Sequence, residues 1–478
     1  VVADATELDI PARATDRPLA SGAPTISENL ADFALQLRLG NVPVAIVAKA
    51  KAHLLDALGI ALASTAFDFG RSILAAGSEL GGTGRASVIG FGTKLPPANA
   101  ALVNGTLIHG LDFDDTHITA IHHATAPVLA AVLGAAEASR LTGRDLLEAF
   151  IVGLEIGCRI ADAAQGELHV RGFHPTGIAG TFAATYAAGR LHHADRDQLV
   201  FSASLAGSQA AGLLELGGSW LKRMHPGWAA HAGYVASVMA RNGFTGARTV
   251  FEGEHGFYRA HLGKLPAEEV APDRRLGQEW LIEGIALKPY PCCHFIHAFV
   301  DAALALRNEV DISEIVRIDC PLTDRLMPLV GEPREIRIRP RNPYDAMFSV
   351  PYVVALALVE GVVDLASFHD KGIADPAVLA VAAKVHCAPD PASDFPAHFP
   401  GEVRIMLADG REVVRREVTS LGTPDRALSW EQTVAKFITN ATRVTSEDRA
   451  QQIVAAVHHL EEMQDVSELA DLLHIVIN

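Results

Sequence analysis

Cysteine is scarce in this chain: Cys158, Cys292, Cys293, Cys320 and Cys387 form an odd set of five with no CxxC pair. That excludes a disulfide framework, a zinc ribbon and a cluster-ligating set, and it points to a reducing, cytoplasmic compartment. Aromatic residues make up only 6% of the 478 positions, too few for an aromatic-rich β-sandwich. No uninterrupted apolar run reaches the roughly eighteen residues that a membrane-spanning helix requires. The first two dozen residues carry acids and prolines where a signal peptide has its apolar centre, so residues 1–24 are expected to be a flexible or surface-draped leader. Positive charge is outnumbered, with 40 Lys and Arg against 56 Asp and Glu and a formal net charge of −16. A nucleic acid or an anionic membrane is thereby excluded as the main partner. An anionic small molecule is not, because a pocket can be locally basic inside an acidic protein.

What is abundant is small and apolar. Apolar residues reach 49%, and 40 Gly accompany many Ala, a composition suited to closely packed helices. Thr25-Ile26-Ser27-Glu28 has capping-box spacing, and Leu30, Phe33, Ala34 and Leu37 follow at helical period. The same reading predicts helices near 44–64, 96–109, 126–140, 143–164, 177–192, 195–213 and 228–241, joined by short polar connections. After residue 285 β-branched runs enter at 315–320, 381–387, 403–407 and 412–418, the last two joined across Asp409-Gly410, a strong hairpin signal. Helices persist there at 295–308 and 347–360, and the helical pattern returns from Ser429. The expected fold is mainly α: a large helical domain built from 25–285 and 425–478, with a smaller α+β lid domain inserted at 286–424.

The densest chemistry lies in 104–128, which holds three Asp, four His and four Thr between Gly105 and Pro127. Buried polar groups are costly unless satisfied, and catalysis is one setting that justifies them. DFDDT (112–116) matches the DxDxT string of aspartate-nucleophile phosphatases, but it follows a helix end instead of the buried strand such a nucleophile needs. Asp112, Asp114, Asp115, His117, His122 and His123 also have the ligand types of a metal site, yet no HExxH or other fixed helical ligand pair is present. Further along, His174 stands just before Pro175, where a helix dipole would favour the neutral imidazole. GGSWLKRMHPGWAAHAG (217–233) groups Lys222, Arg223, His225 and His231, the cations that carboxylate capture requires. Lys288 opens KPYPCCHFIH at the expected seam, and Cys292-Cys293 reads as buried filler. GGTGRAS (81–87) lacks a GK[ST] ending, which argues against a phosphate loop.

Five of these segments, in order, resemble the MmgE/PrpD family: NG…H.LDFDDTH with a following His, FHPTG, the K..H stretch, KPYPCCHFIH and DAMFSVPYVVALAL (345–358). The resemblance covers about 25–470. That family includes 2-methylcitrate dehydratase, cis-aconitate decarboxylase and iminodisuccinate epimerase. The resemblance implies a homodimer with a pocket between two domains. A di- or tricarboxylate substrate is expected there, with no metal, and with no cofactor because the chemistry moves no electrons and the chain lacks a cluster-ligating cysteine set. The resemblance places pocket positions at Asp112, Thr116, His123, His174, Lys222 and Lys288. From their chemistry the first four are expected to be catalytic and the two lysines to bind substrate carboxylates, with Arg223 and His225 as further carboxylate-binding candidates. One departure concerns His123-Ala124-Thr125, where many relatives read His-Pro-Ser. The first expectation is a hydro-lyase acting on a 2-methylcitrate-like acid by proton abstraction next to a carboxylate. Epimerase and decarboxylase chemistry follow as alternatives, and a non-catalytic carboxylate-binding protein is the reading from a different class.

Overall fold

A computed structural model describes residues 22–475 apart from Gly217, Asp370, Pro396 and Ala397. Nearly all of the expected leader therefore lies outside the described residues. The chain begins with α1 (Ile26–Gln36), whose Thr25 and Glu28 complete the reciprocal capping box. There follow α2 (Val44–Ser64), α3 (Asp68–Gly81), the short pair β1 (Ala86–Ser87) and β2 (Lys94–Leu95), and α4 (Pro97–His109), opened by proline in its first turn. After β3 (Thr116–His117) come α5 (Thr125–Ser139), α6 (Gly143–Asp162), α7 (Glu167–Val170), α8 (Pro175–Leu191), α9 (Arg196–Gly207), α10 (Leu221–Arg241) and α11 (Phe257–Leu262). Thr142 and Asp195 repeat the capping box before α6 and α9, satisfying backbone donors that the first turn leaves open.

Two expected boundaries move, for reasons that matter at the site. The helix predicted from 228 begins at Leu221, and Pro226 sits inside it. Proline disfavours a helix interior, but here tertiary packing overrides propensity, because Gly227 lies flat against α4 at Gly105. The helix predicted to 213 stops at Gly207 instead, and the segment after it crosses in front of α8, where Gly212 accepts a 2.9 Å bond from the His174 amide.

The strand β4 (Ile285–Ala286) pairs antiparallel with β3 and leads into the α+β part. That part contains α12 (His297–Leu306), β5 (Ile315–Leu322), α13 (Arg334–Arg337), α14 (Pro343–Met347), α15 (Val350–Glu360), α16 (Leu365–His369) and α17 (Pro376–Ala382). It closes with β6 (Val385–Pro389), β7 (Gly401–Leu407) and β8 (Glu412–Glu417). The sheet order is β6-β5-β7-β8, with β5 and β6 parallel and the other pairs antiparallel. Gly410 takes φ +84° in the β7–β8 turn, the left-handed conformation its Asp-Gly sequence predicts. The chain ends in α18 (Trp430–Ala441), α19 (Glu447–His458) and α20 (Ser467–Leu473).

Two apolar cores result. One is shared by the helices from α1 through α11 and by α18 to α20, whose Phe437, Ile453 and Leu469 join it. The other lies between the sheet and α12 and α15. A small seam cluster of Ile60, Phe69, Leu111, Phe113 and Leu365 lies where the two parts meet, next to the Asp-rich loop. Among the described residues no helix is long and apolar enough to cross a membrane. All five cysteines are free.

Candidate functional site

α4 ends at His109, and the loop after it holds Asp112 at φ +51°, a backbone conformation uncommon for a residue with a Cβ. The turn presents the Asp112 carboxylate to two ammonium groups from distant parts of the chain. Lys222, in the first turn of α10, places Nζ 2.8 Å from Oδ1. Lys288, just beyond β4, donates to the Asp112 carbonyl at 2.7 Å and reaches Oδ1 at 3.2 Å. Burial alone would raise this carboxyl group. The Lys222 and Lys288 charges outweigh burial and hold it well below the usual carboxylate range.

Behind this bridge stand four imidazoles. His109 donates from Nδ1 to both oxygens of Asp114, at 2.9 and 2.8 Å. His123 donates from Nδ1 to the Asp115 carbonyl at 2.6 Å, with Thr116 Oγ1 3.3 Å away, and its own amide bonds to Thr176 Oγ1 at 3.0 Å. His174, capping α8, meets His225 of α10 through a 3.0 Å Nδ1–Nδ1 contact, so one ring must donate and the other accept. The His109 ring centroid lies 4.5 Å from that of His123 and 5.6 Å from that of His174. Burial, reinforced by the neighbouring cations, keeps His123 and His174 well below the usual histidine range, and it lowers His225 to about 4. These shifts favour the neutral ring at His123, His174 and His225 at pH 7. Nε2 of His109 and Nε2 of His174 are buried without a hydrogen-bond partner, an arrangement that native interiors rarely tolerate without a purpose.

A cavity of about 430 Å³ opens onto this group. Its walls come from the helical part (Phe69, His109, Asp112, Lys222, Arg223) and from the α+β part (Cys292, Tyr344, Phe348). Arg223 stacks its guanidinium over Phe69, 4.5 Å from the ring centroid. Lys222 and Arg223 line the cavity together with Asp112 and Asp68, Asp68 being paired outward with Arg71, and Lys288 stands behind Asp112, so cationic donors for a carboxylate guest are gathered at the Asp112 end. Cys292 and Cys293 have thiols raised by burial, Cys293 to about 11, which makes thiolate chemistry at neutral pH unfavourable.

The structure thus brings Asp112, Thr116, His123, His174, Lys222, Lys288 and His225 into one connected group, with Arg223 on the cavity wall. His122 turns away and packs beside Gly157 of α6, and His117 lies against Gly284. His231 bonds to the Ala98 carbonyl outside the site. Asp112, the nucleophile position of the DxDxT string, follows the end of α4 instead of a strand and is bridged by Lys222 and Lys288, while Asp114 and Asp115 are engaged by His109 and Thr125. Sequence reasoning passed over His109, although it sits three positions before Asp112 at the end of a predicted helix, where its ring must share the loop's surroundings. Tyr344 was missed because nothing local marks it. His109, His123 and His174 each offer a nitrogen within 4.8 Å of the others and could hold a divalent cation. The ammonium groups of Lys222 and Lys288 beside them disfavour a second positive charge.

The chain is 27% identical to a cis-aconitate decarboxylase of Mus musculus over 460 residues, covering 94% of this chain and 93% of that protein. It is 29% identical to the cis-aconitate decarboxylase of Homo sapiens over 461 residues, 94% of both chains. A 2-methylcitrate dehydratase of Cupriavidus necator is 27% identical over 447 residues, 84% of this chain and 87% of that protein. The MmgE/PrpD N-terminal domain model matches residues 28–269 and the C-terminal domain model matches 290–462. With its two halves matched in order by the two domain models, this chain belongs to the MmgE/PrpD family.

Proposed function

We propose that this protein is a cofactor-independent lyase of an unsaturated tricarboxylate, and that it decarboxylates cis-aconitate or a close analogue. The observation that carries this reading is the pair of unpartnered imidazole nitrogens, on His109 and His174, buried beside the Lys222–Asp112–Lys288 bridge. The names of the decarboxylases to which the chain is similar over 94% of its length favour decarboxylation. Dehydration of a 2-methylcitrate-like acid, first in order from the sequence, becomes the second reading, supported by one relative of that name.

The chemistry asks for two things. In cis-aconitate the carboxylate on the methylene carbon is β,γ to the double bond. When its C–C bond breaks and CO2 leaves, the electron pair forms a new double bond to the central carbon. The former alkene CH then becomes carbanion-like beside its own carboxylate and takes up a proton. A cation must hold that carboxylate, and an acid must stand at that carbon. Lys222 and Lys288, with Arg223 at the wall, supply the first, each donor being worth roughly 3–4 kcal/mol at a developing oxyanion. His123 or His174 supplies the second as an imidazolium. The carboxylates of the bound substrate bring negative charge beside rings that are held neutral before binding. One ring then takes a proton from solvent, and that proton passes to the carbon, within a general-acid contribution of about 10²–10⁴-fold. Thr116 and Asp112 orient His123, His225 fixes the tautomer of His174, and His109 with Asp114 completes the proton-handling set. Substrate carboxylates replace Asp112 on the ammonium groups, so no cation is left unpaired on either side of binding. In the same proposal the unit at 286–424 acts as the lid over the helical domain and the protein is a homodimer, which light scattering tests: a monomer mass would remove the dimer from the proposal.

Incubation with cis-aconitate, citrate-like acids and aspartate-derived acids in D2O, followed by NMR, tests the reading. The expected result is CO2 release with one deuterium at the former alkene carbon. Water loss without CO2 would favour dehydration, and deuterium gain without either would favour epimerisation. No change in any acid would contradict a catalytic role.

A further inference from the structure

The loop at 112–116 is gripped from behind by a buried charged group that no step above uses. Lys436 of α18 donates to the Phe113 carbonyl at 3.0 Å and lies 3.7 Å from the centroid of the Phe113 ring. It also pairs with Asp56 of α2 at 2.7 Å, both side chains being nearly inaccessible to solvent. His53, one turn earlier on α2, places Nδ1 3.1 Å from Asp115 Oδ2, again fully buried. Asp115 also accepts from Thr125 Oγ1 at 2.6 Å, and its carbonyl is the acceptor that aims His123. Buried ion pairs are poor sources of stability, since apolar residues of equal volume do as well or better. A cluster of this kind directly under a strained loop needs another reason.

We infer that His53, Asp56 and Lys436 are positioning residues, which fix the Phe113 carbonyl and the Asp115 carboxylate so that Asp112 and His123 keep their reacting geometry. Lys436 enters from beyond the α+β part, so the returning C-terminal helix sets the pose of a loop more than 300 residues earlier in the chain. The inference rests on the proposed lyase reading for its kinetic consequence, but its geometric content stands apart from it. His53 also lines a second cavity, of about 680 Å³, which shares no lining residue with the substrate cavity. A small solute can therefore reach the place of its ring.

Two variants of the full chain test this: His53→Ala, and Asp56→Asn combined with Lys436→Met, which removes both charges together. Folding is checked by circular dichroism. The Nδ1–H resonance of His123, assigned by its loss in His123→Gln, reports the loop without any substrate. It is expected to shift in both variants and to return in His53→Ala when imidazole is added. On the acid that the unsubstituted protein turns over, kcat is expected to fall about 100-fold, the scale of a 1 Å misplacement, with KM little changed and imidazole restoring the His53→Ala rate. An unmoved His123 resonance overturns the inference, whether or not turnover is found. So does a wild-type kcat in folded variants, or loss of the fold in both, which would make the cluster a folding element. Absence of turnover in the unsubstituted protein counts against the lyase reading alone.

Discussion

Asp112 illustrates how one residue organises the site. Its positive φ aims both its carbonyl and its carboxylate at Lys288, and Lys222 closes the bridge from α10. Lys288→Ala removes an oxyanion-directed cation and frees the loop at the same time. We expect kcat/KM to fall by about 10²–10³-fold with a far-UV spectrum like that of the unsubstituted protein, and full activity in this variant would remove the clamp from the mechanism. Lys288, Lys222 and His123 were legible because their residue types stand out in an otherwise apolar sequence and match family segments. His53 and Lys436 were not legible. Each is a lone polar residue on a helix whose sequence reads as ordinary core packing, and only the fold brings them under the loop.

Helices were the easiest elements to read, since an Ala- and Leu-rich periodic pattern with capping boxes leaves little choice: the helix predicted at 44–64 is Val44–Ser64. The start of α10 was missed because Pro226-Gly227 is a local breaker signal, whereas the glycine serves a close helix crossing. A Cβ on Gly105 would stand 2.7 Å from Gly227 Cα, and one on Gly227 would collide with the Leu102 carbonyl. That crossing sets the distance between His109 at the end of α4 and Lys222 and His225 at the start of α10. Gly227→Ala is therefore expected to cost about 1–3 kcal/mol through overpacking and to lower activity further than the stability loss explains. Denaturant unfolding alongside kinetics measures both, and unchanged values would show that the two helices are not held by this contact.

At the scale of the whole molecule, the number of buried neutral imidazoles has a thermodynamic consequence. His122 and His294 are lowered to about 3 and His192 and His225 to about 4, with burial the leading cause in each, and burial likewise holds His53, His123, His174 and His297 down. An unfolded imidazole takes its proton near pH 6.5, whereas these take theirs only at lower pH. The unfolded state thus binds more protons between the two values, and stability falls as pH falls below about 6.5, by roughly 1.4 kcal/mol per pH unit for each group. Asp56, raised to about 6 chiefly by burial, acts in the opposite sense, as do Glu155, Glu252 and Asp301, which burial also raises, but these carboxyl groups are fewer than the imidazoles. Thermal unfolding should therefore show a clearly lower Tm at pH 5.5 than at pH 7.5, and a flat profile would mean that these rings gain partners or solvent in solution. The account as a whole rests on convergence: two chain halves placing ammonium groups and imidazoles around one anionic guest. A crystal structure with a saturated, unreactive tricarboxylate bound tests that most directly. The expected result is carboxylates on Lys222 and Lys288 with a carbon of the guest against His109, His123 and His174. A guest bound elsewhere, with the Asp112 bridge intact, would contradict it.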